Sequence, residues 1–251
     1  MPLFFPSIFA IALTLFSSTA TLAAEEEKIL RLNVSPQGYP PFTIVHADGT
    51  FSGIIWDILA LAAERKGYKL EGLEIPRKRV DDFILSGHID ATPRAIEWTS
   101  KPERFTFTEP LVEVQEVFFK RRGSQFEYTG PESLAGKSIV THLGYKYPTL
   151  EPMLASGRAE RFDVQNERDM LRYLVEGKYH DLAIAVREVG LWHIKREGWH
   201  DQLDYAPQPL SSVEYRLMFN KDNEAFVAWF NDELADIKRS GELEVILDRY
   251  R

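Results

Sequence analysis

The sequence contains no cysteine. This absence excludes a disulfide framework, a cysteine nucleophile and a cysteine to which a lipid could be attached. The folded chain must therefore be stabilised by its hydrophobic core alone. The roughly 227 residues that follow the first 24 can bury enough apolar surface for that purpose.

The first 24 residues contain no Asp, Glu, Lys or Arg. Apolar residues run from Leu3 to Phe16, small residues lead to Ala23-Ala24, and acidic residues begin at Glu25. The apolar run of about 14 residues is short for a membrane span, which needs roughly 20. We interpret residues 1–24 as a cleaved secretory signal peptide and expect a soluble mature protein in the periplasm. A retained N-terminal anchor is the alternative, because the segment lacks the usual Lys or Arg.

The sequence lacks an excess of positive charge, since its 38 Asp and Glu outnumber its 30 Lys and Arg and the formal net charge is −8. Hydrophobic residues make up 44% and charged residues 27%, which is typical of a folded globular protein. The basic runs at 77–79 and 120–122 are short, and we interpret both as solvated charged faces. Nucleic acid is therefore not an expected partner, because phosphate binding needs clustered Lys and Arg.

The six histidines are scattered, and His193 and His200 lack a ligand-like partner spacing. Neither a metal site nor a cofactor is predicted. No paired carboxylates and no Ser, His, Asp arrangement can be recognised by spacing, so no catalytic residue is predicted.

Apolar spacing predicts alternating helices and strands. Helical periodicity occurs at 54–66, 79–86, 166–177, 223–241 and 243–250, and buried strands are predicted at 29–34, 89–92, 138–141 and 181–186. Two further extended runs, 114–120 and 214–220, alternate apolar and polar residues. This order predicts an α/β protein with a mostly parallel sheet and helices on both faces. A helix–Gly–turn–Asp–strand pattern occurs at 83–91 and again at 173–183, which indicates two similar lobes.

Several short motifs resemble one family in their order and spacing. They are Gly38-Tyr39-Pro40-Pro41-Phe42, Asp48 to Gly53, Trp56-Asp57, Arg79 to Asp90, Pro102-Glu103-Arg104, Phe107 to Pro110, Leu134 to Lys137, Gly177 to Asp181 and Leu243 to Tyr250. The chain resembles the family 3 extracellular solute-binding proteins, the polar-amino-acid-type binding proteins of ABC transporters.

The resemblance implies a type II periplasmic-binding-protein fold, in which two α/β lobes are joined by two hinge strands. Lobe 1 would comprise residues 25–117 and the C-terminal helices at 219–251, and lobe 2 would comprise 118–218. The extended runs 114–120 and 214–220 would be the hinge strands. The ligand would bind in the cleft, at the C-terminal ends of strands.

Five candidate ligand-binding residues fall in lobe 1. Tyr39 follows the first strand in a Pro-rich turn, where a ring could pack on the ligand, and Trp98 could wall the cleft or fill the lobe. Relatives use an Arg after the strand at 89–92 to hold a ligand carboxylate, because a guanidinium matches two oxygens. The candidates are Arg94, which lies nearest the strand end, Lys101 by ungapped spacing, and Arg104 after a local shift. A surface ion pair is the plainer role for each.

The remaining candidates fall in lobe 2. Relatives carry a Gly-Thr-Thr turn after the strand at 138–141, and this chain retains Gly144 but has Tyr145-Lys146 in place of the hydroxyl pair. Amino-acid binders also place an Asp about five residues into the strand after Gly177, where this chain has Ala185 or Val186. Either Glu188 substitutes for that Asp, or the ligand is not an α-amino acid, because a buried ammonium needs a counter-charge.

By resemblance, we expect a monomeric periplasmic protein that captures a small polar or anionic ligand, an amino acid or a related carboxylate. Closure of the lobes would present that ligand to a membrane permease of the ABC type. Two alternatives remain: a soluble ligand-binding partner of a membrane sensor, and a dehydratase-like enzyme. An enzyme would need a general acid in the cleft, for which Glu97, Glu109, Glu188 and His142 are the possible residues.

Overall fold

The computed structural model describes residues 27–177 and 179–250, and the predicted signal peptide at 1–24 lies outside them. The strands are β1 Lys28–Val34, β2 Ile44–Val45, β3 Phe51–Ser52, β4 Tyr68–Glu74, β5 Ala91–Arg94, β6 Phe105–Phe107, β7 Val112–Arg121, β8 Ser138–His142, β9 Glu160–Val164, β10 Leu182–Val186, β11 Leu203–Tyr205 and β12 Ser211–Asn220. The α-helices are α1 Ile54–Arg65, α2 Arg77–Leu85, α3 Glu151–Ala155, α4 Glu167–Glu176, α5 Arg187–Glu197, α6 Glu224–Ser240 and α7 Glu242–Asp248.

Helix α4 shows how the sequence sets the limits of a helix. The side chain of Asn166 accepts a hydrogen bond from the backbone N–H of Asp169 at 2.8 Å and so caps the N-terminus. Gly177 ends the helix in the left-handed conformation, with φ of 77°. Both ends are where the sequence predicts them.

The main sheet has the strand order β4-β1-β5-β12-β7-β10-β8-β9, with β6 added beside β12 and β11 beside β7. Strands β4, β1 and β5 are parallel, and so are β10, β8 and β9. Strands β7 and β12 run antiparallel to their neighbours. The sheet is therefore mixed: the expectation of parallel pairing is correct within each group of three strands and wrong for the two strands between the groups.

Strands β7 and β12 link the two halves of the sheet. They pair with each other over Val112–Glu116 and Ser211–Tyr215. Beyond that stretch β12 pairs with β5, whereas β7 pairs with β10. The chain thus forms two α/β halves joined by two strands, as the resemblance implies, while the lobe boundaries at 117/118 and 218/219 stay a prediction.

Each half has its own hydrophobic core. In the half containing β1 and β5, helices α1 and α6 bury Ile55, Ile58 and Phe230 completely against the sheet. In the other half, Phe118 and Phe119 are consecutive in β7 and point into separate clusters on opposite faces. Burying a side chain of this size contributes roughly 1.5–3 kcal/mol. Within the ranges 27–177 and 179–250, no helix is long and apolar enough to cross a membrane.

Candidate ligand-binding site

A cleft of about 440 Å³ lies between the two halves. It is bordered by the C-terminal ends of β1, β5 and β8 and by the first turns of α2 and α4. Its lining residues are Asn33, Ser35, Gln37, Gly38, Tyr39, Pro40, Thr43, Ile75, Arg77, Val80, Thr92, Pro93, Arg94, Trp98, His142, Tyr145, Gln165, Asn166, Glu167, Arg168, Asp169, His193 and Tyr215. Ligands of α/β proteins typically bind at this end of the strands.

Asn33 of β1 and Thr92 of β5 are hydrogen-bonded neighbours in the cleft. The Asn33 amide Nδ2 donates to Thr92 Oγ1 at 2.9 Å, which fixes the orientation of the amide. The Asn33 carbonyl Oδ1 is buried and has no hydrogen-bond partner among the described residues. A buried acceptor without a partner costs about 1–3 kcal/mol, so this atom is suited to a donor from outside the chain.

Arg94, the last residue of β5, is the most enclosed cation of the cleft, with a side chain only 5% exposed. Its Nη1 donates to Asp81 Oδ1 of α2 at 2.7 Å, and its Nε is buried without a partner among the described residues. Burial lowers the pKa of Arg94, as does the charge of Arg77, while Asp81 acts in the opposite direction. The guanidinium is thus held by Asp81 and retains a donor, Nε, that no described residue uses.

Arg77 begins α2 and extends to the opposite wall of the cleft. Its guanidinium carbon lies 5.3 Å from the centre of the Tyr145 ring, a cation–π geometry. Its Nη2 donates a weak hydrogen bond to the carbonyl of Trp98 at 3.5 Å. His142 is also stacked on the Tyr145 ring, at 4.1 Å between ring centres. Residues of both halves therefore meet across the cleft.

Aromatic side chains form the wall beside Arg94. Tyr215 of β12 contacts Tyr39 at 6.5 Å, Trp98 at 5.8 Å and Phe42 at 5.3 Å between ring centres. Burial raises the pKa of Tyr39 well above 10, and the neighbouring Tyr145 and Glu167 raise it further. The Tyr39 hydroxyl is therefore neutral at physiological pH and can both donate and accept hydrogen bonds.

Glu167 is the first residue of α4 and is about nine-tenths buried. Its Oε1 lies 3.9 Å from His142 Nε2, beyond hydrogen-bonding distance. Burial raises the pKa of Glu167, and the charge of His142 lowers it in part. A backbone hydrogen bond of Glu167 also lowers it. This largely buried carboxylate lies in the half that contains β8, across the cleft from Arg94.

The structure places four of the nine predicted residues in the cleft: Tyr39, Arg94, Trp98 and Tyr145. Lys101 and Arg104 are exposed and do not line the cleft. Lys101 directly precedes a short 3₁₀ turn at Pro102–Arg104, and Arg104 is its last residue. Gly144 and Lys146 are exposed beside Tyr145 and also lie outside the lining. Among the three candidate cations for a carboxylate, the structure thus brings only Arg94 into the cleft.

Glu188 also lies outside the cleft lining, because β10 leads directly into α5 and Glu188 is in the first turn of that helix. Arg187 binds its carboxylate through Nη2 at 2.8 Å and also donates to Gln115 Oε1 of β7 at 2.7 Å. Ala185 and Val186 are buried and apolar. The end of β10 therefore supplies no acidic group to the cleft.

Among the polar or aromatic residues of the cleft that sequence reasoning did not propose as ligand contacts are Asn33, Arg77, His142, Glu167 and Tyr215. Arg77 is in a basic run that we interpreted as a solvated face, and it is indeed exposed while it borders the cleft. A signal did exist for Glu167, because the capping residue Asn166 places the start of α4 directly before it. In the described ranges, no group of three His, Asp or Glu side chains is arranged to hold a metal ion.

Two halves with their own cores, two connecting strands and a polar cleft between them define a two-lobed binding protein of the type II periplasmic class. The family model of the bacterial extracellular solute-binding proteins, family 3, matches residues 30–251. The chain belongs to this family. Comparison with curated proteins gives no significant match.

Solved structures show the same fold at low sequence identity. A putative binding component of an ABC transporter from Wolinella succinogenes, complexed with lysine, has a TM-score of 0.76 and 20% identity over 88% of this chain and 94% of its own. A histidine kinase sensor domain with similarity to periplasmic binding proteins has 0.74 and 22% over 89% and 96%. The ancestral amino acid-binding protein AncCDT-1, a precursor of cyclohexadienyl dehydratase, has 0.72 and 15% over 88% and 95%.

Proposed function

We propose that the cleft captures a small polar solute that carries a carboxylate, and that the closed protein delivers it to an ABC permease. The observation that carries this proposal is a pair of buried polar atoms, Asn33 Oδ1 and Arg94 Nε, on the cleft-facing ends of β1 and β5. One is an acceptor and the other a donor, and neither has a partner among the described residues. A ligand with its own donors and acceptors would satisfy both.

Arg94 is the proposed carboxylate anchor. Its ion pair with Asp81 fixes the guanidinium, so little side-chain entropy is lost when a ligand binds. The aromatic wall of Tyr39, Trp98 and Tyr215 would pack on the apolar part of the ligand. Tyr39, Arg94 and Trp98 are also candidates from the sequence, and their positions in the cleft support these roles.

Closure would follow from ligand contacts with both halves. A ligand shifts an equilibrium only if it binds one form more tightly, and a cleft with Arg94 on one wall and Tyr145 on the other meets this condition when closed. We propose that β7 and β12 are the hinge between lobe 1, residues 25–117 and 219–251, and lobe 2, residues 118–218. Capture would take place in the periplasm, after removal of residues 1–24.

A thermal-shift screen of amino acids, organic acids, polyamines and sugars tests the proposal, because a ligand that binds the folded state raises the melting temperature. We expect carboxylate-bearing solutes to stabilise the protein. Arg94→Lys should weaken the best ligand about tenfold or more, because an ammonium cannot reproduce a two-pronged carboxylate contact. Arg104→Lys is the matched control, since Arg104 is exposed and outside the cleft. Equal effects of the two substitutions would refute the assigned role of Arg94.

The similarity to a histidine kinase sensor domain keeps a membrane sensor as a second candidate partner. A permease and a sensor would each recognise the closed, liganded form, so the fold does not distinguish between these two partners. A reconstituted permease and a reconstituted sensor kinase can each be assayed with the liganded protein. Stimulated ATP hydrolysis by the permease supports transport, and stimulated autophosphorylation of the kinase supports sensing. The three structural neighbours described above are binding or sensing proteins by their descriptions, so an enzymatic role is not proposed.

A further inference from the structure

Arg77 is a cation of the cleft lining that has no carboxylate partner among the described residues. Its guanidinium donates one weak hydrogen bond, to the carbonyl of Trp98 at 3.5 Å, and contacts the Tyr145 ring at 5.3 Å from the ring centre. A guanidinium has five N–H donors, and the carbonyl of Trp98 uses one of them. Arg77 can therefore offer both hydrogen-bond donors and its positive charge to a ligand.

The wall that carries Arg77 also carries Arg94, and the two cations are close to a single acid, Asp81. Arg77 and Asp81 are one turn apart on α2, so their side chains project from the same side of the helix. The carboxylate of Asp81 is used by Arg94, whose Nη1 lies 2.7 Å from Asp81 Oδ1. Burial is the main cause that lowers the pKa of Arg94, and the charge of Arg77 is the next, as expected for like charges that are close together. This wall therefore has an excess of positive charge.

The acidic residues on the opposite wall of the cleft have basic partners in their own half. Asp169 Oδ1 accepts a hydrogen bond from Arg172 Nε at 3.2 Å. Glu167 Oε1 lies 3.9 Å from His142 Nε2. These acids are therefore engaged on their own side, and the excess charge of the arginine wall is left for a ligand to neutralise.

We propose that Arg77 binds a second anionic group of the ligand, so that the captured solute is a dianion with one carboxylate on Arg94 and a further carboxylate or phosphate-type group on Arg77. This inference rests on the proposed function and names its ligand class. A second negative group would be attracted by both arginines, and a guanidinium can hold two of its oxygens at once. Arg77, which the sequence analysis interprets as part of a solvated face, would thus select the charge of the ligand.

Pairs of nearly isosteric probes that differ by one negative charge test the inference. Succinate is compared with succinamate, and glutarate with glutaramate, in which an uncharged amide replaces one carboxylate. Phosphonoacetate is compared with malonate to distinguish a phosphate-type second group from a carboxylate. Each probe is assayed with the mature protein at neutral pH by thermal shift and, where it binds, by calorimetric titration. We expect each dicarboxylate to bind at least about tenfold more tightly than its amide partner.

Arg77→Gln should reduce the preference for the dicarboxylate within each pair about tenfold, because the neutral side chain no longer attracts the second charge. Arg77→Lys should retain part of the preference, since an ammonium keeps the charge but not the two-pronged geometry. Arg79→Gln is the matched control, because Arg79 is an exposed member of the same basic run and lies outside the cleft lining. If Arg77→Gln fails to fold, the preference of the wild-type protein and its partial retention in Arg77→Lys still decide the matter.

Arg77→Gln also removes the contact with Tyr145, which affects closure of the cleft as well as its charge. Weaker closure would weaken the dicarboxylate and its amide partner by the same factor. The ratio of their dissociation constants is therefore the quantity that reports charge selection. Tyr145→Leu removes the ring but leaves the guanidinium, so it should preserve this ratio even if both probes bind more weakly.

The outcomes separate this inference from the proposed function. If the amides bind as tightly as the dicarboxylates, or if Arg77→Gln and Arg79→Gln change the ratio equally, the cleft captures a carboxylate but Arg77 does not select a second anion. If none of the probes stabilises the wild-type protein at millimolar concentration, both the ligand class and the capture of a small carboxylate are overturned. A preference for dianions that is lost specifically in Arg77→Gln supports both, and the comparison of phosphonoacetate with malonate then identifies the second group.

Discussion

The guanidinium of Arg77 lies over the ring of Tyr145, and this contact spans the cleft from the start of α2 to the turn after β8. Arg77 belongs to the half that contains β1, and Tyr145 belongs to the half that contains β8. The contact therefore stabilises an arrangement in which the halves are close together. A partly exposed cation–π pair contributes about 0.5–1 kcal/mol.

Tyr145→Leu should shift the ligand-free protein toward more open forms by about two- to fivefold, which corresponds to the loss of that contact. Small-angle scattering of the ligand-free mature protein measures the shift as an increased radius of gyration. Tyr179→Leu is the control, because Tyr179 is 83% exposed in the same half. An unchanged radius of gyration in Tyr145→Leu would show that the ring does not hold the halves together.

Asp81 is the counter-charge of the enclosed Arg94. Asp81→Asn would leave a buried guanidinium without its carboxylate, a change that costs about 3–5 kcal/mol in fully enclosed pairs. Because the Asp81 side chain is 37% exposed, we expect a smaller loss of about 2 kcal/mol in the free energy of unfolding. Urea denaturation measures it, and Asp82→Asn, an exposed neighbour on α2, should change the midpoint little. Equal midpoints for the two variants would contradict the assigned pairing.

A substitution of Asn33 tests ligand binding separately from the stability of the fold. Its Oδ1 is buried without a partner among the described residues, so the amide contributes one hydrogen bond to Thr92 and also an unsatisfied acceptor. Asn33→Leu removes the unsatisfied acceptor but leaves the Oγ1 of the buried Thr92 without its donor, and these two effects largely cancel. We expect the free energy of unfolding to change by less than about 1 kcal/mol, while the dissociation constant of the best ligand rises about tenfold. A large loss of stability with unchanged affinity would assign Asn33 a purely structural role.

Local signals in the sequence were sufficient to predict the helices whose ends are marked by a capping residue or a glycine. Asn166 and Gly177 delimit α4, and Gly241 ends α6, as predicted. Helix α5 was missed, because it begins at Arg187 without a capping side chain and has Gly190 in its interior. Strand β4 was missed because its course depends on tertiary contacts. At Gly72, the Phe51 ring packs so closely that a Cβ would lie 2.5 Å from it.

The binding site shows the same difference between residues that the local sequence marks and residues whose position depends on tertiary structure. Tyr39, Arg94 and Tyr145 could be predicted, since Arg94 ends a strand, Tyr39 and Tyr145 each come shortly after one, and strand ends share one edge of a sheet. Tyr215 could not, because its place in the cleft depends on how the halves are oriented. For Glu167 the sequence marks the start of α4 through Asn166, but it does not show that this end of the helix faces the cleft. Arg77 is exposed and basic among basic neighbours, and only the three-dimensional contact with Tyr145 distinguishes it from a solvated side chain.

His193 makes stability depend on pH. It lies on α5 in the cleft lining, and its Nδ1 is buried without a partner among the described residues. Burial lowers the pKa of His193 to about 4, although Glu197 opposes the shift, while Arg168 and Arg196 add to it. Since the folded state favours the neutral ring, its contribution to stability is complete above pH 6.5 and is lost as the pH falls from 6.5 toward 4.

His193→Gln should therefore reduce the loss of melting temperature between pH 7 and pH 5 by about 4–8 °C, which corresponds to about 2 kcal/mol. Thermal unfolding followed by circular dichroism at several pH values measures this difference. His200→Gln serves as the control, because the His200 side chain is 70% exposed. Parallel pH profiles for the wild type and His193→Gln would show that His193 has an ordinary pKa in the folded protein.

Gly190 marks the closest approach of α5 to strand β7. A Cβ built on Gly190 would lie 2.0 Å from Phe119 Cζ, well inside any allowed contact, and Phe119 is fully buried. Intrinsic helix propensity favours alanine over glycine by about 1 kcal/mol, so propensity alone predicts that Gly190→Ala stabilises the protein. The packing predicts the opposite, because the helix or the ring must move.

We expect Gly190→Ala to lower the free energy of unfolding by about 1–3 kcal/mol, the usual cost of overpacking a core. The double-mutant cycle with Phe119→Leu separates the two effects. Phe119→Leu alone leaves a cavity, but it also makes room for the added methyl, so the combined variant should be more stable than the sum of the single losses by at least about 1 kcal/mol. Additive losses would indicate that Gly190 is required by the backbone of α5 and not by the Phe119 ring. Because Phe119 lies in β7 three residues beyond the stretch that pairs with β12, a favourable coupling would also show that α5 is packed tightly beside the strand connecting the two halves.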